Sequence, residues 1–192
     1  VTLDVVNLDS TSATALFDDR KVGVGRSVQA AGLTLTGTDS ANYNLGQPTL
    51  SASINAKAIT VTGVAGVNKA FDKETNATVV TSGAVLVGVE TADAAAVSLV
   101  ATDVLGEFAD AAVGTNKPVA IGGLTLTGTE AANYTLTQPS TTAAITGAAL
   151  TVTGIVGYDK AYDGTTEAKV GTMAATLAGV TAGSGVSLDA AN

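Results

Sequence analysis

One stretch of this chain occurs twice. Residues 32–63 read GLTLTGTDSANYNLGQPTLSASINAKAITVTG, and residues 123–154 read GLTLTGTEAANYTLTQPSTTAAITGAALTVTG, 91 residues later and with no gap inside. A gapless match of this length constrains the fold more than any composition does. It predicts a tandem array in which a module abuts copies of itself.

The ends give the phase of that array. Residues 1–7 (VTLDVVN) and 186–192 (VSLDAAN) match each other, with a weaker echo at Val97-Ser98-Leu99. The expected layout is the C-terminal part of a first module over 1–58, a complete module over 59–149, and the N-terminal part of a third over 150–192. Aligning Val1 with Val97 predicts a five-residue insertion before Phe17 relative to Phe108. The chain opens without Met, without a charged start and without an apolar leader, so it is expected to be a piece of a longer protein. Two readings of that phase stay open: the front of one chain and the back of the next complete a module head to tail, or the segment is the ordered portion of one long continuous polypeptide, a reading at least as favoured.

The local patterns predict strands. Ile59-Thr60-Val61-Thr62 and Leu150-Thr151-Val152-Thr153 alternate apolar and Thr, as do Leu33-Thr34-Leu35-Thr36 and Leu124-Thr125-Leu126-Thr127. Period two is the mark of a strand with one buried face. Apolar runs at 84–89 and 173–180 predict further strands. Thr38 and Thr129 precede DSANY and EAANY, which suit one helical turn with a Thr cap and an acidic start. Asp163-Gly164 predicts a tight turn; Lys73, at the place of Gly164, predicts a different turn in the middle copy. Between modules only Asn55–Ala58 and Thr146–Ala149 intervene, so the junctions should hinge little. The fold class expected is all-β: abutting modules of about 91 residues, of β-sandwich or mirror β-grasp type, with at most one short helical turn each.

Six of the seven aromatic residues form pairs at the repeat offset: Phe17 with Phe108, Tyr43 with Tyr134, Phe71 with Tyr162. Tyr158 has no partner; Val67 holds its place. Rings that recur once per module are expected to be core pegs. The predicted core is therefore Phe17, Leu33, Leu35, Tyr43, Ile59, Val61, Phe71, Phe108, Leu124, Leu126, Tyr134, Leu150, Val152 and Tyr162. The hydroxyls of Tyr43 and Tyr134 are expected to find backbone partners.

Composition then excludes functions. Histidine and cysteine are both absent, which removes the commonest general base, the thiolate ligand and any disulfide. The net charge is −8, spread without runs, so no basic footprint for nucleic acid exists. No apolar run is long enough to cross a membrane as a helix. Asp18-Asp19 could be read as a carboxylate pair, but the second copy has Ala109-Asp110, and neighbours on a strand face opposite ways. No nucleotide, hydrolase or zinc motif occurs, and no catalytic, cofactor-binding or metal-ligating residue is assigned. Calcium remains open for an acidic chain, with Asp72 and Asp163 recurring, although turn chemistry explains both. The Thr-x-Thr elements suit a solvent face better than an ice-binding array, whose coils are much shorter. Asn76 and Asn133 fit the glycosylation sequon, and Lys69 and Lys160 recur alongside Asn42 and Asn133, the residue types of an isopeptide crosslink.

Several strings combine into a known pattern. KAYDGTT at 160–166, the Val-Ser-Leu element, the VGxxK/R spacing and GLTLTGTxxANYxLxQP together resemble the YDG-type repeat of large bacterial surface proteins, including filamentous-haemagglutinin-like exoproteins and giant adhesins. The middle copy departs from the triplet with Phe71-Asp72-Lys73. The resemblance implies a secreted, β-rich repeat serving as stalk or matrix at the cell surface, with no catalytic residues. The expected function is a structural segment of an extracellular fibre, adhesin stalk or matrix filament, and not an enzyme. Its expected partners are other copies or neighbouring modules. The alternative is an adhesion module for glycans or cell surfaces, with binding at copy-specific places such as Tyr158.

Overall fold

The computed structural model describes residues 3–189; residues 1–2 and 190–192, the outer parts of the matching terminal elements, lie outside the described residues. Within them the protein is all-β, punctuated by short 3-10 turns. The first repeat supplies β1 (Asn7–Asp9), β2 (Thr14–Phe17), β3 (Gly23–Ala31), β4 (Thr34–Thr36) and β5 (Thr49–Ile54). From the end of the first repeat β6 (Lys57–Thr62) runs into the middle one, followed by β7 (Ala65–Gly66), β8 (Lys69–Ala70), β9 (Asn76–Ala77), β10 (Val79–Val80) and β11 (Val85–Val87). It continues with β12 (Ser98–Val100), β13 (Leu105–Phe108), β14 (Gly114–Gly122), β15 (Thr125–Thr127), β16 (Tyr134–Leu136) and β17 (Ser140–Thr146). The last stretch adds β18 (Thr151–Thr153), β19 (Val156–Gly157), β20 (Val170–Gly171) and β21 (Thr176–Ala178).

Strand pairing recurs at the sequence offset. The order β2-β3-β5 is matched by β13-β14-β17, and Phe17 lies opposite Val28 as Phe108 lies opposite Val119. Likewise β7 pairs with β10 and β19 with β20 in the same register. The Thr residues of β4, β6, β15 and β18 all face solvent, as the alternation requires.

The chain forms two compact units. One comprises residues 3–60, 86–100 and 126–137. In it β16 runs parallel to β6, with Tyr134 opposite Lys57 and Leu136 opposite Ile59. Alternation turns Ile59 and Tyr134 inward onto Val97, and Leu86, Val89, Leu126 and Leu136 pack around them. The other unit comprises residues 61–85, 101–125 and 138–189. Its main sheet has the order β8-β17-β14-β13-β9, and its two edge strands are joined by the short loop 71–75. The expected sandwich or mirror β-grasp thus takes the form of a near-closed, barrel-like sheet. Its core is Phe108, Val119, Ile121, Ala143 and Ile145, with Val61 and Leu124 also buried.

The predicted core divides by position along the chain. Ile59, Val61, Phe108, Leu124 and Tyr134 are buried, and Phe71 and Leu126 half-buried, all within 59–149. Leu33 and Leu35 of the first repeat are half-buried, but Phe17 is 41% exposed against 1% for Phe108. Tyr43, Leu150, Val152 and Tyr162 are exposed as well, contrary to expectation. The cause is the covering strand. Phe108 lies on β13, which is flanked by both β14 and β9, whereas β2, carrying Phe17, pairs with β3 alone. Similarly β8, beside Phe71, pairs with β17, while Lys160-Ala161 beside Tyr162 has no strand partner.

Three finer expectations change. Because β1 pairs with β4 as β12 pairs with β15, the counterpart of Val97-Ser98-Leu99 is Val6-Asn7-Leu8, not Val1-Thr2-Leu3. The Val-x-Leu triplet occurs twice, five residues apart, and only the partner strand chooses between them; the insertion before Phe17 disappears. The 3-10 turns Ser40–Asn42 and Ala131–Asn133 start one residue later than expected, with Asp39 and Glu130 at the cap and no side-chain capping bond. A further turn, Thr91–Asp93, gives the middle repeat two turns instead of one.

Candidate functional site

The recurring polar residues of this chain act on the backbone. In the loop after β8, Lys69 Nζ donates to the carbonyls of Glu74 and Asn76, both at 2.9 Å, and contacts Asp72 Oδ1 at 2.9 Å. Asp72 Oδ1 in turn accepts the Glu74 N–H at 2.9 Å. One ammonium therefore gathers the loop joining the two edges of the barrel-like sheet. In the last repeat Lys160 does the same with Asp163 Oδ1 and the Thr165 carbonyl, each at 2.9 Å, while Asp163 accepts the Thr165 N–H. The residue after the aspartate is left-handed in both, with φ 72° at Lys73 and 75° at Gly164. The expectation that Lys73 would change the turn fails: the Lys–Asp clasp holds the backbone, and Lys73 accepts the strain.

The VGxxK/R spacing has a similar reason. A register shift after Gly23 and Gly114 redirects the strand. Arg26 then reaches Asp19 at 3.5 Å, and Lys117 reaches Asp110 at 2.5 Å. These aspartates also accept the N–H of Lys21 and Ala112. Asp19 is thus a turn anchor. The Gln of LxQP makes a two-point clip: Gln47 accepts the Leu33 N–H and donates to its carbonyl, and Gln138 does so with Leu124.

One cluster lies where the first repeat meets the second. Among the described residues Asp93 is the buried charged side chain, at 4% exposure. Its Oδ2 accepts the Tyr134 hydroxyl at 2.8 Å and its Oδ1 accepts Arg20 Nη1 at 2.8 Å. The Tyr134 oxygen accepts the Glu90 N–H at 3.1 Å, the backbone partner expected of it. Tyr43 instead donates to the Asp4 carboxylate. Asn133 Oδ1 accepts the Val22 N–H at 3.0 Å, and its amide nitrogen donates to Glu130. Lys57 pairs with Glu90, and Arg20 and Lys21 flank Glu130. The first repeat thus brings Arg20, Lys21 and Lys57, and the second brings Glu90, Asp93 and Glu130. A hollow of about 230 Å³ is lined by Arg20, Lys57, Glu90, Asp93, Asn133 and Tyr134, among others.

The electrostatics follow from the contacts. The Tyr134 hydroxyl, then the Arg20 guanidinium, hold the Asp93 carboxyl below the usual range. Burial, with the Asp93 charge beside it, pushes the Tyr134 hydroxyl above the usual range. Both Asp93 oxygens are occupied, so the chemistry here is that of a clasp. Arg20 is largely exposed, and exposed ion pairs contribute little stability. What the clasp fixes is orientation.

Sequence reasoning missed Arg20, Lys57, Glu90, Asp93, Glu130 and the two glutamines. Gln47 and Gln138 were findable, since they recur at the offset. The clasp residues were not: Ala111, Ala112 and Ala148 stand at the places of Arg20, Lys21 and Lys57, so no period marks them. Of the other expectations, Asn76 Oδ1 accepts Lys69 Nζ, and the amide of Asn133 is engaged on both sides. Among the described residues no three acidic side chains converge as a metal site.

The YDG domain matches residues 1–51 and again 55–143. The chain belongs to the YDG domain family. The triplet Tyr162-Asp163-Gly164 lies beyond the matched stretches. No curated protein and no solved structure matches the chain.

Proposed function

We propose that this YDG chain is a structural segment of an extracellular bacterial fibre, adhesin stalk or matrix filament. The observation that carries the reading is the junction. The buried carboxylate Asp93 ties Arg20 of one repeat to Tyr134 of the next, and only Asn55-Ala56 separates β5 from β6. A chain that commits its buried charge to joining consecutive repeats is suited to transmit tension. The repeated Lys, Gln and Asp clips serve the same end by closing loops that would otherwise yield first. A net charge of −8 and solvent-facing Thr rows suit a surface that must stay soluble at high local density.

Single-molecule stretching tests this. Chains linked in series should rupture in discrete events with a contour length of about one repeat, and the double variant Arg20→Ala/Lys57→Ala should lower the force at which the first repeat parts from the second. Smooth extension at the force of an unstructured linker would refute the reading. Protease treatment of intact producing cells should release the segment; protection until lysis would remove the extracellular part of the proposal.

A second reading has one observation in its favour. Tyr158 is exposed and borders a hollow of about 210 Å³ with Asp159, Lys160, Asp163 and Glu167. An open ring beside carboxylates is chemistry that sugars use. Specific signal on a glycan array, lost in Tyr158→Ala, would favour an adhesion module.

A further inference from the structure

The seam between the first two repeats is charged on both sides, and the charges are sorted. It lies within one compact unit. The back of the first repeat brings the cations, Arg20, Lys21 and Lys57. The front of the second brings the acids: Arg20 meets Asp93 at 2.8 Å, and Lys57 pairs with Glu90. One period on, Ala111, Ala112 and Ala148 stand at the three cationic places. The acidic places become neutral as well, with Thr181 for Glu90 and Ser184 for Asp93. The turn itself secures that alignment. The Asp93 N–H donates to the Glu90 carbonyl, and the Ser184 N–H donates to the Thr181 carbonyl. The apolar neighbours do not change, since Val22 and Ile54 recur as Val113 and Ile145. A charged back thus precedes an acidic front, and a neutral back precedes a neutral front.

We propose that these charges are an address, which makes a repeat front bearing Glu90 and Asp93 specific for a preceding repeat with a cationic back. The proposal rests on the reading of the chain as a structural array, and it adds which repeat fits beside which. Burial supplies the discrimination. Asp93 is 4% exposed, so against a neutral back its carboxylate would stay covered with the Tyr134 hydroxyl as its remaining side-chain partner. A buried charge that loses its counter-ion costs far more than the intact pair contributes. A front with serine at that place carries no charge to strand, and alanines suit it. The rejection runs one way. Arg20 and Lys57 stand about half-open to water or more, so a cationic back loses little against a neutral front. Specificity built from the penalty of the wrong pairing needs only one covered charge, and Asp93 is that charge.

Three variants of the whole chain test this. Arg20→Ala/Lys21→Ala/Lys57→Ala gives the first repeat the neutral back of the second. Glu90→Thr/Asp93→Ser gives the second repeat the neutral front of the third. The last variant combines all of these changes. The Val22 N–H donates to Asn133 Oδ1 across the seam, so its hydrogen-exchange protection, corrected for the neighbouring side chain, reads the seam directly. The neutral back alone should lower that protection by on the order of tenfold or more. Adding Glu90→Thr/Asp93→Ser to it should restore most of the loss, although the same two changes in the natural chain should give no gain. That reversal of sign is the signature of an address. An unchanged Val22 in the neutral-back chain, or losses that simply accumulate in the combined one, would overturn the proposal. Slow exchange at Val119 and Ile145, in the other compact unit, shows that each chain is folded. Should the neutral back unfold the chain, the exposed pair decides instead: Lys57→Glu and Glu90→Lys should each lower Val22 protection, and together return it. Additive losses there would overturn the proposal equally. The tension-bearing reading is judged apart from this, by whether the natural chain ruptures in discrete events on stretching.

Discussion

Lys73 shows how one residue records a conflict between backbone and side chain. The turn needs a left-handed residue, and the neighbouring repeat supplies Gly164 there with nearly the same φ. A left-handed backbone costs a side-chain-bearing residue about 1 kcal/mol. Lys73→Gly should therefore stabilise the protein by about 1 kcal/mol, seen as a raised urea midpoint with unchanged slope, and Gly164→Lys should not stabilise it. A second contrast separates covered from uncovered positions. Phe108→Ala removes a ring that is 1% exposed and should cost about 3–5 kcal/mol, whereas Phe17→Ala should cost far less in the monomer. Residue types were legible from the repeat; their burial was not. Phe17 and Phe108 are the same letter at the same phase, and the difference between them is a strand that another part of the chain supplies.

At the scale of the element, the motifs explain themselves as closures. Loops between short strands leave backbone groups unpaired, and a folded chain satisfies nearly all of them. Here Lys69, Lys160, Gln47 and Gln138 do so from side chains, and Asp19, Asp72, Asp110 and Asp163 accept the N–H two residues on. These bonds favour the ionised carboxylate. A hydrogen bond from Lys69 or Lys160, and the backbone N–H, hold Asp72 and Asp163 below their ordinary value of 3.8; the Lys117 bond does the same at Asp110. A depressed native pKa contributes stability that is complete above the unfolded value and is lost as pH falls through the native one. Without His or Cys, no side chain titrates ordinarily between pH 5 and 8. The urea midpoint should thus stay flat from about pH 6 to 8 and fall below about pH 4. A loss already at pH 6 would contradict this account. Alternation made β4, β6, β15 and β18 legible in advance. The dipeptide strands β7 to β10 were not, because two residues hold no period and pairing alone defines them.

For the whole molecule, the repeat frames stability as a matter of neighbours. An array element that cannot bury its apolar face alone draws on the adjoining one. Residues 59–149 contain both halves of that bargain, so their strands should open only with global unfolding. The flanking stretches bury less apolar surface, with Tyr43, Leu150 and Val152 exposed, and their amides should open by local fluctuation. Hydrogen exchange distinguishes the two. At low protein concentration the amides of β14 and β17, around Val119 and Ile145, should exchange slowest, and those of β18 and β21 should exchange many times faster. The contrast follows from burial: Val119 and Ile145 are 0% and 1% exposed, whereas Val152 of β18 is 45% exposed, so opening the outer strands uncovers little that was covered. Rates in β18 and β21 that already match those of β14 would contradict this account.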